Sequence, residues 1–303
     1  MNMNMTLIHY GRFTSSVGLI PLGYKSLDMS AREVPHMFTA IISVSSSLVT
    51  SASPVFSLLT SLASCPGLHE VLVLWSSAVQ PPPVRDWRQL GRLPPATQLQ
   101  VLLTNTTSRF RHAALASTQA VLSLDEDVTL TTEEINFAFD VWRSFPERIV
   151  GFPARTHYWD ERRKLWLYSS AGSNEYSIVL TTAAFLHKKY ARLFSEQLSL
   201  SVAAALETLP DCEHLLMNFL VSLVTRQPPL KVTHRRQYRD PASSPDQNTR
   251  VESFSRKQKC MNIFFSGFGQ MPLIKSKLRL DPVLFKDPVS NLRKKFRKIE
   301  LVQ

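Results

Sequence analysis

Leu122-Ser-Leu-Asp125-Glu126-Asp127-Val-Thr-Leu130 continues an apolar run that begins at Ala120. Ala120–Leu124 reads as a buried strand, and the three acids read as the turn that ends it. Behind them Thr131 and Glu134 have capping-box spacing, and Ile135, Ala138, Phe139 and Trp142 recur on one helical face. Strand, acidic turn and helix in this order put the carboxylates at the carboxyl end of a strand, where open α/β sheets bind ligands. Carboxylates so crowded repel one another unless a cation sits among them, and hard oxygen donors suit Mg²⁺ or Mn²⁺. An ion held there would clamp a diphosphate. The competing reading is a solvated acidic turn that favours the dipole of the following helix.

Working outward, Phe38–Val44, His69–Trp75 and Gln98–Leu103 read as further buried strands. Ser53-Pro54 has the form of an N-cap followed by proline at the first helical position, with Val55, Leu58, Leu59 and Leu62 on one face. A short helix is expected near Trp87, and a loop carrying Arg109 and Arg111 leads into the acidic strand. This alternation over residues 38–145 predicts an α/β fold, a mainly parallel sheet with helices on both faces. The chain has only nine glycines and neither GxGxxG nor GxxxxGK[ST]. A glycine cradle for phosphates is therefore excluded, and a diphosphate would need a metal and an arginine such as Arg109. A surface salt bridge is the plainer use of a lone arginine.

Further on, Arg148–Arg155, Lys164–Tyr168 and Asn174–Leu180 read as strands, and a helix is expected near Ala183–Leu193. His157, Tyr158 and Trp159 would suit a sugar or, more commonly, a core. Asp211 is positioned to N-cap an apolar helix through Leu215, Phe219, Leu220 and Leu223, which puts Glu213 in its first turn. Lys231–Tyr238 is basic and strand-like. The expected organisation is an irregular leader over 1–36 and one domain over 37–303, with a mobile loop at 241–256 and a basic terminal helix at 289–303.

A net charge of +11 suits a polyanion, whether nucleic acid, an acidic membrane or an acidic glycan. No RNP, zinc-finger or helix-turn-helix signature is present, so no nucleic-acid partner is expected. Cys65, Cys212 and Cys260 lack CxxC spacing, which argues against zinc; one disulfide and one free thiol fit the count. The opening residues lack a charged start followed by an apolar core, and no apolar run reaches about 18 residues, so neither a signal peptide nor a membrane span is expected.

Ala120–Asp127, Phe137–Arg155 and Cys212–Val221 resemble the carboxyl-terminal (family 64) glycosyltransferase domain of the exostosin and exostosin-like family. So do Gly269–Leu273 and Arg279–Asp287. The resemblance implies a GT-A type fold and an α-1,4-N-acetylglucosaminyltransferase-like enzyme. Such an enzyme moves N-acetylglucosamine from UDP-GlcNAc onto a heparan sulfate-type acceptor with retention of configuration. It implies Mn²⁺, with Mg²⁺ as substitute, held by Asp125 and Asp127 of a DxD motif formed by Asp125, Glu126 and Asp127. Arg109 would contact uridine and phosphate, Glu213 would be the catalytic acid, and Cys212 would be bonded to Cys260. Ser76 and His214 fall at donor-sugar positions where the family pattern has an asparagine and a second acid. The resemblance further implies a homo- or hetero-complex with an exostosin and a place on the lumenal side of the endoplasmic reticulum and Golgi. Membrane attachment would come through a segment absent from this chain. The alternative function is a catalytically weak domain that binds the acidic glycan or supports an active exostosin.

Overall fold

The computed structural model describes residues 35–46, 49–104, 109–169, 174–196, 198, 200–209, 212–233 and 247–282. Residues 1–34 of the leader expected over 1–36, the cap residue Asp211, residues 234–238 of the expected basic strand, residues 241–246 of the expected loop and the terminal helix expected over 289–303 lie outside them.

The chain opens with β1 (Phe38–Val44), α1 (Pro54–Ala63), β2 (Leu68–Trp75), α2 (Val84–Leu90) and β3 (Gln98–Leu103). A short α3 (Arg109–Ala113), β4 (Ala120–Asp125) and α4 (Thr132–Ser144) follow. Next come β5 (Val150–Gly151), β6 (Ala154–Asp160), β7 (Leu165–Ser169), β8 (Ile178–Val179) and β9 (Ala183–His187). The rest is α5 (Lys188–Glu196), α6 (Leu200–Thr208), α7 (Glu213–Thr225), β10 (Leu230–Val232), α8 (Gln247–Phe268) and β11 (Arg279–Leu280).

Eight strands form one sheet in the order β11-β10-β5-β9-β4-β1-β2-β3, and β7-β6-β8 form a second. In the large sheet β9 alone among the described strands runs antiparallel to its neighbours. Strand alternation sorts the core into two layers. Ala40, Ile42, Leu122 and Leu124 pack with α1, α2 and α4 on one face. Ile41 and Val121 pack with α3, α5, α7 and α8 on the other. Burial on both faces explains why β1 and β4 are near-continuous apolar runs. The capping box that starts α4 is complete: Thr131 Oγ1 accepts from the Glu134 N–H at 3.2 Å, and Glu134 Oε2 accepts from the Thr131 N–H at 2.9 Å. At α1 the proline sits at the first turn as expected, but the Ser53 hydroxyl accepts from the Thr50 N–H instead of capping.

Several segments depart from expectation. Ala183–His187 is a strand and not the start of a helix, because it inserts between β4 and β5 and pairs with both. Tertiary pairing overrides the helical propensity of Ala183 and Ala184. The single strand expected over 148–155 is split at Pro153, which has no N–H to give a ladder; β5 joins the large sheet and β6 the small one. Asn174–Leu180 is reduced to β8 and an isolated bridge between Tyr176 and Ser276. Arg109 begins a helical turn, not a loop. Residues 247–256, expected as loop, are the first part of α8, whose later turns bury Cys260, Met261 and Phe264.

Candidate functional site

The acidic strand ends at the centre of the sheet, beside β1, so its carboxylates meet the loop that follows β1. Glu126 Oε1 accepts from the Ser45 N–H, the Ser45 hydroxyl and the Ser46 N–H, each at 3.0 Å. The middle acid therefore fixes that loop and is occupied within the protein. Asp125 is half-buried, its N–H donating to the Thr182 carbonyl at 2.9 Å, while Asp127 is exposed at the rim.

Arg109, the first residue of α3, is buried between two carboxylates. Its Nη1 lies 2.6 Å from Asp125 Oδ1 and its Nε donates to Glu213 Oε1 at 2.8 Å. Nη1 also reaches the Ser123 hydroxyl at 3.4 Å and the Leu124 carbonyl at 3.3 Å. Burial opposes the guanidinium charge, but Asp125 and Glu213 more than offset it and raise the pKa above the ordinary arginine value. Arg109 is a fixed cation.

Glu213 opens α7 directly after Cys212, which is bonded to Cys260 of α8 with a Cα–Cα distance of 6.1 Å. Burial pushes its carboxyl up to about 7, against the pull of Arg109. One oxygen is taken by Arg109; the other, Oε2, is buried and has no hydrogen-bond partner among the described residues. Leaving such an oxygen unpartnered is costly in a closed core, and Glu213 is one of the residues that line the cavity described next. The neighbouring His214 is buried, with Nδ1 2.6 Å from the Thr181 hydroxyl. Burial first, then the positive charges of Arg109 and Lys257, hold it neutral well below the usual histidine range. Asn218, one turn on, bonds the Val179 N–H and carbonyl at 3.0 and 2.8 Å and the His214 carbonyl at 2.7 Å, so α7 is clamped to β8.

These groups surround one cavity of about 570 Å³. It is lined by Ser43, Ser45, Ser46, Ser53, Pro54, Val55, Ser76, Arg109, Asp125, Glu126, Asp127, Glu213 and His214. Every residue read from the sequence as a donor-site, catalytic or metal residue is among them, and the disulfide lies directly behind Glu213. Ser76 is held by its hydroxyl and N–H to the Val44 carbonyl at 3.1 and 3.0 Å. The aromatics of β6 are not in this cavity. His157 is buried against Trp166 at 5.1 Å with Nδ1 2.7 Å from the Ser177 hydroxyl, and Trp159 packs on Trp166 at 5.3 Å. Reading the sequence missed the roles of Ser45, Ser46, Thr181 and Asn218. The serines at the end of a strand beside the acidic one were a signal for the first two; nothing local marks the others.

No group of three or more metal-ligating side chains occurs among the described residues. Magnesium-like ions, however, are commonly held by one or two carboxylates together with substrate phosphates and waters. Asp125 and Asp127 offer that hard donor set, so the site fits an ion that is completed by a diphosphate.

An open, mainly parallel sheet with an acidic turn at the end of a central strand is the architecture of a GT-A-like glycosyltransferase domain, and the comparison of sequences supplies the class, which implies a nucleotide-sugar donor. The chain belongs to the family described as Glycosyl transferase family 64 domain, which it matches over residues 38–285. It is 44% identical over 300 residues to exostosin-1 of Mus musculus, covering 95% of this chain and 39% of that protein. To exostosin-1 of Pongo abelii it shows the same identity and coverage, and to exostosin-1c of Danio rerio it is 46% identical over 301 residues. The chain thus spans 39% of the length of these curated relatives. No described helix is long and apolar enough to cross a membrane.

Proposed function

We propose that this domain transfers N-acetylglucosamine from UDP-GlcNAc to a heparan-type acidic glycan with retention of configuration, on the lumenal side of the endoplasmic reticulum and Golgi and in company with an exostosin. The observation that carries the reading is the unpartnered, buried Glu213 Oε2 in the same cavity as Asp125, Asp127 and Arg109. Mn²⁺ or Mg²⁺ held by Asp125 and Asp127 would neutralise the diphosphate and the charge that develops on it as the sugar leaves. Arg109 holds Asp125 and Glu213 in fixed relation. Glu213 presents its second oxygen to positive charge developing at the anomeric carbon, as a stabilising carboxylate or as a nucleophile. Glu126 keeps the serine loop after β1 in place as the far wall of the cavity.

One observation favours the second reading, a weakly catalytic glycan-binding domain. The residue after Glu213 is a neutral histidine tied to Thr181, so the cavity holds one free carboxylate oxygen from α7 where the family pattern would supply two acids. Transfer from labelled UDP-GlcNAc to a heparan-precursor oligosaccharide, with and without Mn²⁺, tests the proposal. Metal-dependent product that vanishes in Glu213→Gln while UDP still binds supports transfer. Glycan binding with no product in the native chain favours the second reading.

A further inference from the structure

Between β8 and β9 the chain makes a short link, Leu180-Thr181-Thr182, that is bonded to both halves of the candidate site. On one side it holds the acidic strand. The Thr182 carbonyl accepts from the Asp125 N–H at 2.9 Å, and the Thr181 carbonyl accepts from the Ser123 hydroxyl at 2.6 Å. On the other side it holds α7, through the contact of the Thr181 hydroxyl with His214 Nδ1 at 2.6 Å. Thr181 is fully buried and Thr182 nearly so, and bonds made in so dry a setting are strong ones.

Asn218 extends this connection to the residue before the link. β8 is an edge strand of the small sheet. The Ser177 and Leu180 N–H groups donate toward β6, to the Arg155 and Pro153 carbonyls at 2.9 and 2.8 Å, while Val179 turns its N–H and carbonyl toward α7. The Asn218 amide meets both, at 3.0 and 2.8 Å, as a neighbouring strand would. Its remaining N–H donates to the His214 carbonyl at 2.7 Å, so both donors and the acceptor of the amide are used. Asn218 is 1% exposed and Val179 0%, so water does not compete for these groups. The disulfide and the packing of Phe219 on Phe264 set α7 against α8; Asn218 and His214 set it against the link that holds the acidic strand. A helix moves as a rod, so a shift at Asn218 carries along Glu213, about 7.5 Å away on the same axis.

We propose that Asn218 is a positioning residue for the transfer: by holding Val179 it fixes α7, and with it Glu213, at a set distance from the strand that carries Asp125. This rests on the transfer reading above. It adds what determines the gap between the carboxylate that faces the sugar and the acids that face the diphosphate. Asn218 is not among the residues that line the cavity, so it acts through Glu213 and not on the substrate. Its effect falls on the bond-breaking step, which depends on that gap, and not on donor binding, which uses Asp125, Asp127 and Arg109.

The test compares the native chain with two variants. Asn218→Leu fills the volume and removes all three bonds. Asn218→Ser is the milder change, since a serine hydroxyl can still bond the carbonyl one turn back and only the two bonds to Val179 are lost. The measurements are transfer kinetics with UDP-GlcNAc and a heparan-precursor oligosaccharide, calorimetric affinity for UDP with Mn²⁺, and the urea midpoint. A carbon-13 NMR titration follows the Glu213 carboxyl, identified by the loss of its signal in Glu213→Gln. Each variant should lose turnover at saturating donor by about tenfold or more, with donor KM and UDP affinity within about twofold of native. The Glu213 carboxyl, at about 7 in the native protein, should titrate higher, because Arg109, which pulls it down, would stand further off. A lower urea midpoint with native turnover and native titration would make Asn218 purely structural and overturn the proposal. Equal loss of turnover and UDP affinity would mean that the cavity has collapsed, which overturns it as well. If the native chain transfers nothing, the transfer reading falls and the titration decides the clamp: an upward shift sustains it, and an unchanged value ends it.

Discussion

Arg109 Nε meets Glu213 Oε1 at 2.8 Å across 104 residues of sequence, and the same guanidinium meets Asp125. A buried arginine shared by two carboxylates is a positioning element, since removing it strands two buried or half-buried acids. Arg109→Met should destabilise the fold by about 3–5 kcal/mol in urea titrations and eliminate transfer. Arg109→Lys keeps the charge but loses the fork, and should recover part of the stability and little of the turnover. A methionine variant as stable as native would show that the ion pairs are not holding the site.

Asp127 is exposed, so its replacement should leave the fold alone. Asp127→Ala is expected to abolish Mn²⁺-dependent UDP binding in a calorimetric titration while the thermal midpoint moves by less than about 2 °C. Undiminished affinity would remove Asp127 from the metal site. Glu126 predicts the opposite pattern. Three donors converge on its Oε1, so Glu126→Ala should loosen the serine loop and cost about 1–3 kcal/mol of stability.

The bond between Cys212 and Cys260 spans 48 residues and joins the start of α7 to the middle of α8. Chain-entropy reasoning assigns such a loop about 4 kcal/mol. Paired serine replacements should lower stability by that order and also reduce turnover at saturating donor, because Glu213 is the next residue. Full turnover in a protein with both cysteines replaced would separate the disulfide from the position of Glu213.

His157 gives a pH-dependent stability. Burial, followed by the charge of Lys275, lowers its pKa from 6.5 to about 4 in the folded state. The unfolded chain therefore binds the proton first. This contribution is complete above pH 6.5 and is lost as the pH falls toward 4, by roughly 3 kcal/mol in total. His157→Asn should flatten the fall in urea midpoint between pH 7.5 and 4.5. An unchanged slope would move the acid sensitivity to the carboxylates.

The sequence was most readable where local chemistry and tertiary role agree. β1 and β3 have the bounds their apolar runs predict, and the Thr131–Glu134 capping box forms as its spacing requires. The acidic turn lies where a strand followed by a helix must place it. What could not be read depends on distant partners. β9 is a strand because of β4 and β5, and nothing within Ala183–His187 announces them. The first turns of α8 carry too few apolar residues to look helical; the helix is anchored further on, where Gln258 and Asn262 accept from the Tyr168 and Trp166 N–H groups of β7 and Cys260 is bonded to Cys212. Resemblance placed Glu213 and Arg109 at one site, but no spacing of residues could show that they touch, or that Glu126 is spent on Ser45 and Ser46.

His214 is the departure beside Glu213 that a substitution can test. Its imidazole is buried, held to the Thr181 hydroxyl and kept neutral by burial and by the charges of Arg109 and Lys257, so it offers no charge to a developing cation near neutral pH. The native pH profile of turnover should accordingly show no inflection from it. An aspartate at this position can still accept from Thr181 and lies near the Arg109 guanidinium, whose field acts on position 214. It would also sit beside Glu213 in a buried setting, and mutual repulsion would raise both pKa values. His214→Asp should therefore cost some stability yet raise turnover several-fold, with UDP affinity unchanged if, as proposed, the diphosphate is clamped by a cation on Asp125 and Asp127. His214→Asn preserves the hydrogen bond to Thr181 without a charge and should leave turnover at the native level. Equal rates for the aspartate and asparagine variants would mean that position 214 only anchors α7 to Thr181, and that Ser76 on the opposite wall is the departure that limits the donor site.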